Sequence, residues 1–149
     1  INKDKYQVFV MACKAHVPFG FASHAWFVIN NKGIVSRWEI RHFKNTDGTY
    51  LYLNNQSAFQ GVGIFSFSKK YFRDTQLLGF IEGDEGSVGH RAVEYIENSK
   101  KKYPYCSRYS LKGPNSNTYV QSVLDSFPEF NIKLPWRFVG KGYKDEATV

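Results

Sequence analysis

Cysteine is scarce: the 149 residues hold two, Cys13 and Cys106. That is too few for a disulfide scaffold, and their spacing fits no zinc-binding pattern, although a single bridge between them stays open. The chain must therefore rest on an ordinary hydrophobic core. A chain of this length can build one, because it buries about two thirds of the surface its unfolded form exposes. No pair of the four histidines has metal-ligand spacing, so no bound metal is expected, and no other cofactor either. Long apolar runs are missing too, since nothing approaches the roughly 18 residues that a membrane span needs. Repeats, low-complexity tracts and internal linkers are absent. This points to a single domain over 1–149, with its core from about residue 6 to 143 and a frayed tail over 144–149.

Acidic residues are in deficit: 13 Asp and Glu stand against 20 Lys and Arg, for a formal charge of +7. A surplus of that sign can serve an anionic partner. The basic residues are dispersed, however, and the densest run, Lys100-Lys101-Lys102, follows a predicted helix, where cations suit the dipole. Nucleic acid is accordingly disfavoured as a partner, and a monomer is expected. Aromatic residues make up 17% of the chain, but many alternate within strands, as in IFSFS at 64–68, and read as core. The chain begins with Ile1 rather than Met; a removed secretory leader would leave this appearance, and a periplasmic or envelope location is the expectation.

The first half of the chain reads as strands. YQVFVMAC (6–13), HAWFVI (24–29) and IVSRWEI (34–40) alternate or run apolar, with a turn at Pro18 and Gly20 and a hairpin turn at NNKG. NTDG (45–48) turns the chain again, and TYLYL (49–53), GIFSFS and QLLGFIEG are extended, with KKYFRD between the last two unassigned. From residue 87 to about 100 the period becomes helical: Val88, Ala92, Val93 and Ile96 share a face, Ser87 can cap it, and YPY stops it. A second helix is predicted from about 117 to 127, with Val120, Val123, Leu124 and Phe127 inward and Pro128 ending it. The stretch NIKLPWRFVGKGY is predicted to be extended. Strands first and helices later argue an α+β fold, an antiparallel sheet packed against two helices.

Two places carry chemistry. In KGPNSNTYVQSVL (112–124) a serine stands where a helix begins, between two asparagines. Helix capping explains this, and so does a nucleophile, since the positive end of a helix favours an anion formed there. In the hairpin, a two-residue loop at Asn31 and Lys32 pairs Asn30 with Gly33 and puts His24 opposite Glu39, as does a four-residue loop from Asn30 to Gly33. Cross-strand neighbours of this kind have Cβ atoms about 5 Å apart on one face, so the carboxylate could orient the imidazole and support its basicity. A three-residue loop would bring Ile40 there instead. His16, His42 and His90 have no comparable carboxylate partner. Trp38 alternates with Glu39 and is predicted to be core. A helix-start nucleophile, a strand histidine and a carboxylate on the next strand are attacker, base and orienter, in an order the reverse of papain's.

The segments ASHAWFVI, RWEI, YPYCSRYSLKGPNSNTYVQSVL and LPWRFVGKGY resemble a bacterial family of unknown function, number 3750 among the catalogued domains of unknown function. The likeness runs from about Val8 to Tyr143, and its most specific element is G-P-N-S-N-T followed by L-P…G-K-G-Y. Members of that family often carry a hydrophobic leader, which fits an envelope location. More distantly the chain is similar to circularly permuted papain-like proteins, the group of lecithin:retinol acyltransferase-like enzymes and relatives of cell-wall peptidases. There a strand histidine comes first, a polar residue on the next strand second, and an Asn-Cys pair at a helix start last; His24, Glu39 and Asn115-Ser116 occupy those places, with serine for cysteine.

The resemblance implies hydrolysis or acyl or peptidyl transfer at an amide or ester, with Ser116 as nucleophile, His24 as base and Glu39 as orienter. A peptide or a lipid acyl group would be the substrate. Asn117, or the N–H groups at Ser116 and Asn117, could hold an oxyanion, worth about 3–4 kcal/mol per donor. Asn115 belongs to the same element, and Tyr105 and Arg108 could line the cleft and bind a carboxylate. Because an alkyl hydroxyl loses its proton far less readily than a thiol, the alternative is a catalytically inactive envelope module binding a peptide or lipid in the same cleft.

Overall fold

The computed structural model describes residues 1–15, 22–66 and 69–145. The alternating segments near the start form β1 (Tyr6–Lys14), β2 (Ser23–Asn31) and β3 (Ile34–Ile40), followed by a short β4 (Leu51–Leu53). A hairpin of β5 (Gly63–Ser66) and β6 (Lys69–Phe72) comes next, and then β7 (Thr75–Gly83). Five of these strands make one antiparallel sheet in the order β4-β3-β2-β1-β7, while β5 and β6 pair only with each other. The unassigned KKYFRD thus supplies β6. The helices are α1 (Val88–Glu97), α2 (Ser99–Lys102) and α3 (Ser116–Ser126), with a 3-10 turn over Pro128–Phe130. The fold is α+β, an antiparallel sheet with its helices on one side.

The central strand β2 is buried from Ser23 to Asn30, because both faces of the sheet are covered. On one face Val8, Val10, Ala25, Phe27 and Ile29 pack against Ala92, Val93 and Ile96 of α1 and Tyr119, Val120 and Val123 of α3. On the other, Met11, Cys13, Trp26 and Val28 lie under Ala58 and Val62 of the loop after β4. Each fully buried side chain of this size is worth about 1.5–3 kcal/mol, and a one-residue slip would exchange the two faces. Cys13 and Cys106 are both free, one in each cluster. Trp38 faces the helical side but is only half-buried.

The hairpin differs from its predicted register. Its loop is Lys32-Gly33, with φ of 48° and 99°, the pair of left-handed conformations that a tight two-residue turn demands and that glycine adopts without strain. Phe27 therefore pairs with Trp38 and Asn31 with Ile34, two positions away from the expected pairing, so His24 is not directly opposite Glu39. An even shift keeps every side chain on its face. Continuing the register, His24 and Glu39 become diagonal neighbours, with Cβ atoms about 7 Å apart, a gap that an imidazole and a glutamate side chain span.

The remaining departures are local. The first helix ends at Asn98, whose side chain and backbone N–H both bond Glu94 O, and α2 restarts the chain before Tyr103-Pro104. The segment from 131 to 143 forms no strand: 131–135 have no regular structure, and from 136 to 142 the chain is a run of turns, closed by Phe138 N to Pro135 O, Lys141 N to Phe138 O and Tyr143 N to Gly140 O. The tail expected to fray from Lys144 is held as far as Asp145, which accepts from Arg108 at 2.6 Å. Residues 146–149, like the turn expected at Pro18 and Gly20 and His16 beside it, lie outside the described residues. No helix among the described residues is long and apolar enough to cross a membrane.

Candidate functional site

Ser116, His24 and Glu39, distant in sequence, meet at one place. The Ser116 hydroxyl lies 2.9 Å from His24 Nδ1, and His24 Nε2 lies 2.8 Å from Glu39 Oε2. A carboxylate only accepts, so Nε2 carries the ring proton and Nδ1 turns its lone pair to the serine hydroxyl. All three residues are buried, Glu39 fully.

The position of Ser116 follows from the asparagines beside it. Asn115 is the N-cap of α3: its side-chain oxygen accepts from the N–H of Asn117 (3.0 Å) and of Thr118 (3.3 Å), while Thr118 Oγ1 accepts from Asn115 N–H. Asn117 reaches to the sheet instead, accepting from Ala25 N–H at 3.1 Å and donating to Ser23 O at 2.8 Å. It thereby grips the backbone on both sides of His24. The two halves of the G-P-N-S-N-T…L-P…G-K-G-Y pattern also touch: Asn115 and Asn117 both donate to Val139 O, and Thr118 Oγ1 donates to Gly140 O. These bonds tie the turns over 136–142 to the site, with the carbonyls of Val139 and Gly140 pointing back at the helix start. Capping and the placement of a hydroxyl beside the histidine are therefore not rivals here, since Asn115 caps and Ser116 faces His24.

Of the first N–H groups of α3, Asn117 and Thr118 are satisfied by Asn115 Oδ1 and Tyr119 by Asn115 O. The Ser116 N–H has no hydrogen-bond partner among the described residues, which makes it the donor left for an oxyanion. The side chains of Asn115 and Asn117 are committed to the scaffold rather than offered to a substrate.

Behind Glu39 stands Arg37, two residues earlier on the same strand. Arg37 Nε and Nη2 donate to Glu39 Oε1 (2.8 Å) and Oε2 (3.1 Å), and Nη1 donates to the carbonyls of Ser57, Ala58 and Gln60. Both side chains are wholly buried. The guanidinium also lies over the Trp26 ring at 4.1 Å from its centroid, and that indole stacks near His24 and donates to Ala58 O. An arginine two residues before a glutamate on one strand shares its face; this spacing was the available signal. Burial opposes the Glu39 charge, yet the bonds from His24 and Arg37 outweigh it and hold the carboxyl at about 2. Burial pushes the His24 imidazole below the usual histidine range, with the Glu39 bond working against it. At neutral pH the group is thus anionic Glu39, cationic Arg37 and a neutral imidazole able to accept a proton.

The hydroxyl opens on a cleft of about 170 Å³, lined by Ser23, His24, Ile40, Arg41, Tyr109 and Leu111 among others. Arg41 makes no ion pair with a described residue; its side chain donates to Gln56 Oε1 at 3.2 Å. Tyr105 and Arg108 do not line this cleft. Arg108 bonds Asp145 and Tyr143, and Tyr105 OH accepts from Asp145 N–H. Among the other histidines, His90 does have a carboxylate, Glu94 one helical turn on at 2.9 Å, and His42 lines the cleft. Among the described residues no three His, Cys, Asp or Glu side chains cluster closely enough to hold a metal ion.

Comparison with known proteins places the chain in a family and no further. No curated protein and no solved structure matches it. The family described as Protein of unknown function (DUF3750) matches residues 5–143, and the chain belongs to it.

Proposed function

We propose that this member of the DUF3750 family is a hydrolase or acyl or peptidyl transferase acting on an amide or ester, with Ser116 as nucleophile, His24 as general base and Glu39 as orienter. One observation carries the reading: an imidazole nitrogen 2.9 Å from a serine hydroxyl and, through its other nitrogen, 2.8 Å from a buried carboxylate, at the wall of a cleft. Such an alignment activates an alcohol that would otherwise be a poor nucleophile.

Ser116 Oγ attacks the substrate carbonyl as its proton passes to His24 Nδ1. The imidazolium that forms is stabilised by Glu39, and the Ser116 N–H donates to the new oxyanion. Collapse breaks the bond to the leaving group, which takes the proton from Nδ1. Water, or an acceptor amine or alcohol, then attacks the acyl carbon as its proton passes to Nδ1, and the Oγ–acyl bond breaks as Nδ1 returns that proton to Ser116 Oγ. Arg41 puts a cation on the cleft wall, which favours an acyl compound bearing a negative charge. Base on a strand, orienter on the next and nucleophile at a later helix start follow the permuted papain-like order, which we propose as the arrangement of the site. An envelope location remains part of this proposal, with a peptide or lipid acyl group as substrate.

The test is labelling of the full chain by a fluorophosphonate. The expected outcome is modification of Ser116, lost in Ser116→Ala and reduced at least about a hundredfold in His24→Ala, as befits loss of a general base. Equal labelling of wild type and Ser116→Ala refutes the assignment. A serine at a place where the papain-like group has cysteine favours a second reading, a non-catalytic module that binds its peptide or lipid in the cleft. That reading requires wild type to resist both the probe and turnover of small activated esters.

A further inference from the structure

A second concavity, of about 590 Å³, lies where β1 ends and β7 begins. Its wall carries Lys14, Arg73 and Arg137 and a single carboxylate, Asp74, with Thr75 and Gln76 beside them. None of the three cations forms an ion pair with a described residue, although Lys5, Lys100 and Arg108 elsewhere on the surface each have one. Arg73 Nε is shut away from solvent with no hydrogen-bond partner among the described residues, so this guanidinium would meet a ligand in the concavity through its terminal Nη groups. Arg137 is anchored: its carbonyl accepts from Ser23 N–H at 2.9 Å, and its guanidinium lies over the Phe138 ring at 5.2 Å.

Like charges gathered in one concavity repel, and one acid leaves a surplus of two positive charges there. A bound dianion removes that repulsion. Arginine's planar fork matches phosphate oxygens two at a time, and the Thr75 hydroxyl and Gln76 amide add neutral donors. The volume falls within the roughly 300–1,000 Å³ usual for small-ligand sites, larger than phosphate alone needs. We propose that this concavity binds a phosphate-type dianion carrying an organic part, supplied as a soluble phosphorylated compound or as a phospholipid headgroup. The site needs nothing from Ser116, and it gives the excess of basic residues a use that the dispersed sequence pattern did not reveal.

Calorimetric titration of the full chain with pyrophosphate, and cosedimentation with phosphatidic acid vesicles against phosphatidylcholine vesicles, separate the two sources. Arg73→Gln and Arg137→Gln should each weaken binding about tenfold, the worth of one charge-assisted bond, while Lys101→Gln on α2 changes it less than about twofold. If Arg73→Gln does not fold, Arg137→Gln and Lys14→Gln carry the comparison. Pyrophosphate binding lost in the pocket variants supports the site with a soluble ligand; vesicle binding alone, lost in the same variants, supports it with a lipid headgroup. No binding to either probe, or equal weakening by Lys101→Gln, overturns it.

Discussion

Replacing Glu39 by glutamine tests whether the relay behind Ser116 is also a keystone of the fold. The change removes one charge and leaves shape and size nearly intact. Arg37, wholly buried, then keeps its positive charge with no anion beside it, and its Nε and Nη2 lose a charged acceptor. Removing one member of a buried pair costs about 3–5 kcal/mol. The displaced ionisation of Glu39 gives a second route to the figure: a carboxyl held at about 2 instead of 4.5 corresponds to roughly 3 kcal/mol of stability. Because the folded value lies below the unfolded one, that contribution is complete above about pH 4.5 and drains away as pH falls towards 2, so urea denaturation at pH 7 reads all of it. Glu39→Gln should lower stability there by about 3 kcal/mol. The double variant Arg37→Met, Glu39→Gln leaves no orphaned charge, and its loss should fall short of the two single losses added together by at least about 1 kcal/mol. A Glu39→Gln protein within about 1 kcal/mol of wild type, or strictly additive losses, would refute the reasoning.

Two further outcomes are expected. The rate of Ser116 labelling should rise with pH along a limb centred below the ordinary histidine value of 6.5, because burial lowers His24; in Glu39→Gln, which lacks the bond opposing that shift, the limb should move to lower pH still and the plateau should drop. A limb centred at or above 6.5 in wild type contradicts a buried neutral base. Gly140→Ala should destabilise the chain by about 2 kcal/mol, since φ is +92° and the added Cβ would stand 2.4 Å from Asn115 Nδ2, combining left-handed strain with damage to a cap. The measurements are thermal melting and the labelling rate of Ser116, and unchanged values of both would show that the cap does not hold Ser116 in place.

How far the sequence revealed this depends on the range of the interaction. Strands β1 to β3 and both longer helices were legible because alternation and helical period are local and their faces are buried. The hairpin register was misplaced because NNKG offers glycine and two asparagines, and only the backbone shows that Lys32, not Asn31, takes the left-handed position. The error cost little for the site, since a shift of two preserves the face. Tyr105 and Arg108 were read into the cleft from nearness in sequence to Ser116, but the turns before Asn115 carry them to the tail at Tyr143 and Asp145. Asn115 and Asn117 resemble donors to a substrate in sequence because their real acceptors, Val139 O and Ser23 O, lie 24 and 94 residues away. Arg37 was readable in principle: two residues from Glu39, on the same face, with opposite charge.

The serine itself fits the electrostatics around it. A thiolate–imidazolium pair, the resting form that makes cysteine effective, requires an imidazole that holds a proton readily. Here the imidazole is buried, its ring value is depressed, and Arg37 and Arg41 both work against its charge. Those surroundings favour a neutral hydroxyl beside a neutral ring, with charge appearing only as the proton moves during attack. In the proposed reaction Glu39 favours the transient imidazolium without holding the ring protonated at rest, and the buried Arg37 fork keeps that carboxylate anionic and aimed. Under the proposed mechanism that bracing has a use, because a weak nucleophile depends on the groups behind it to keep its base aligned.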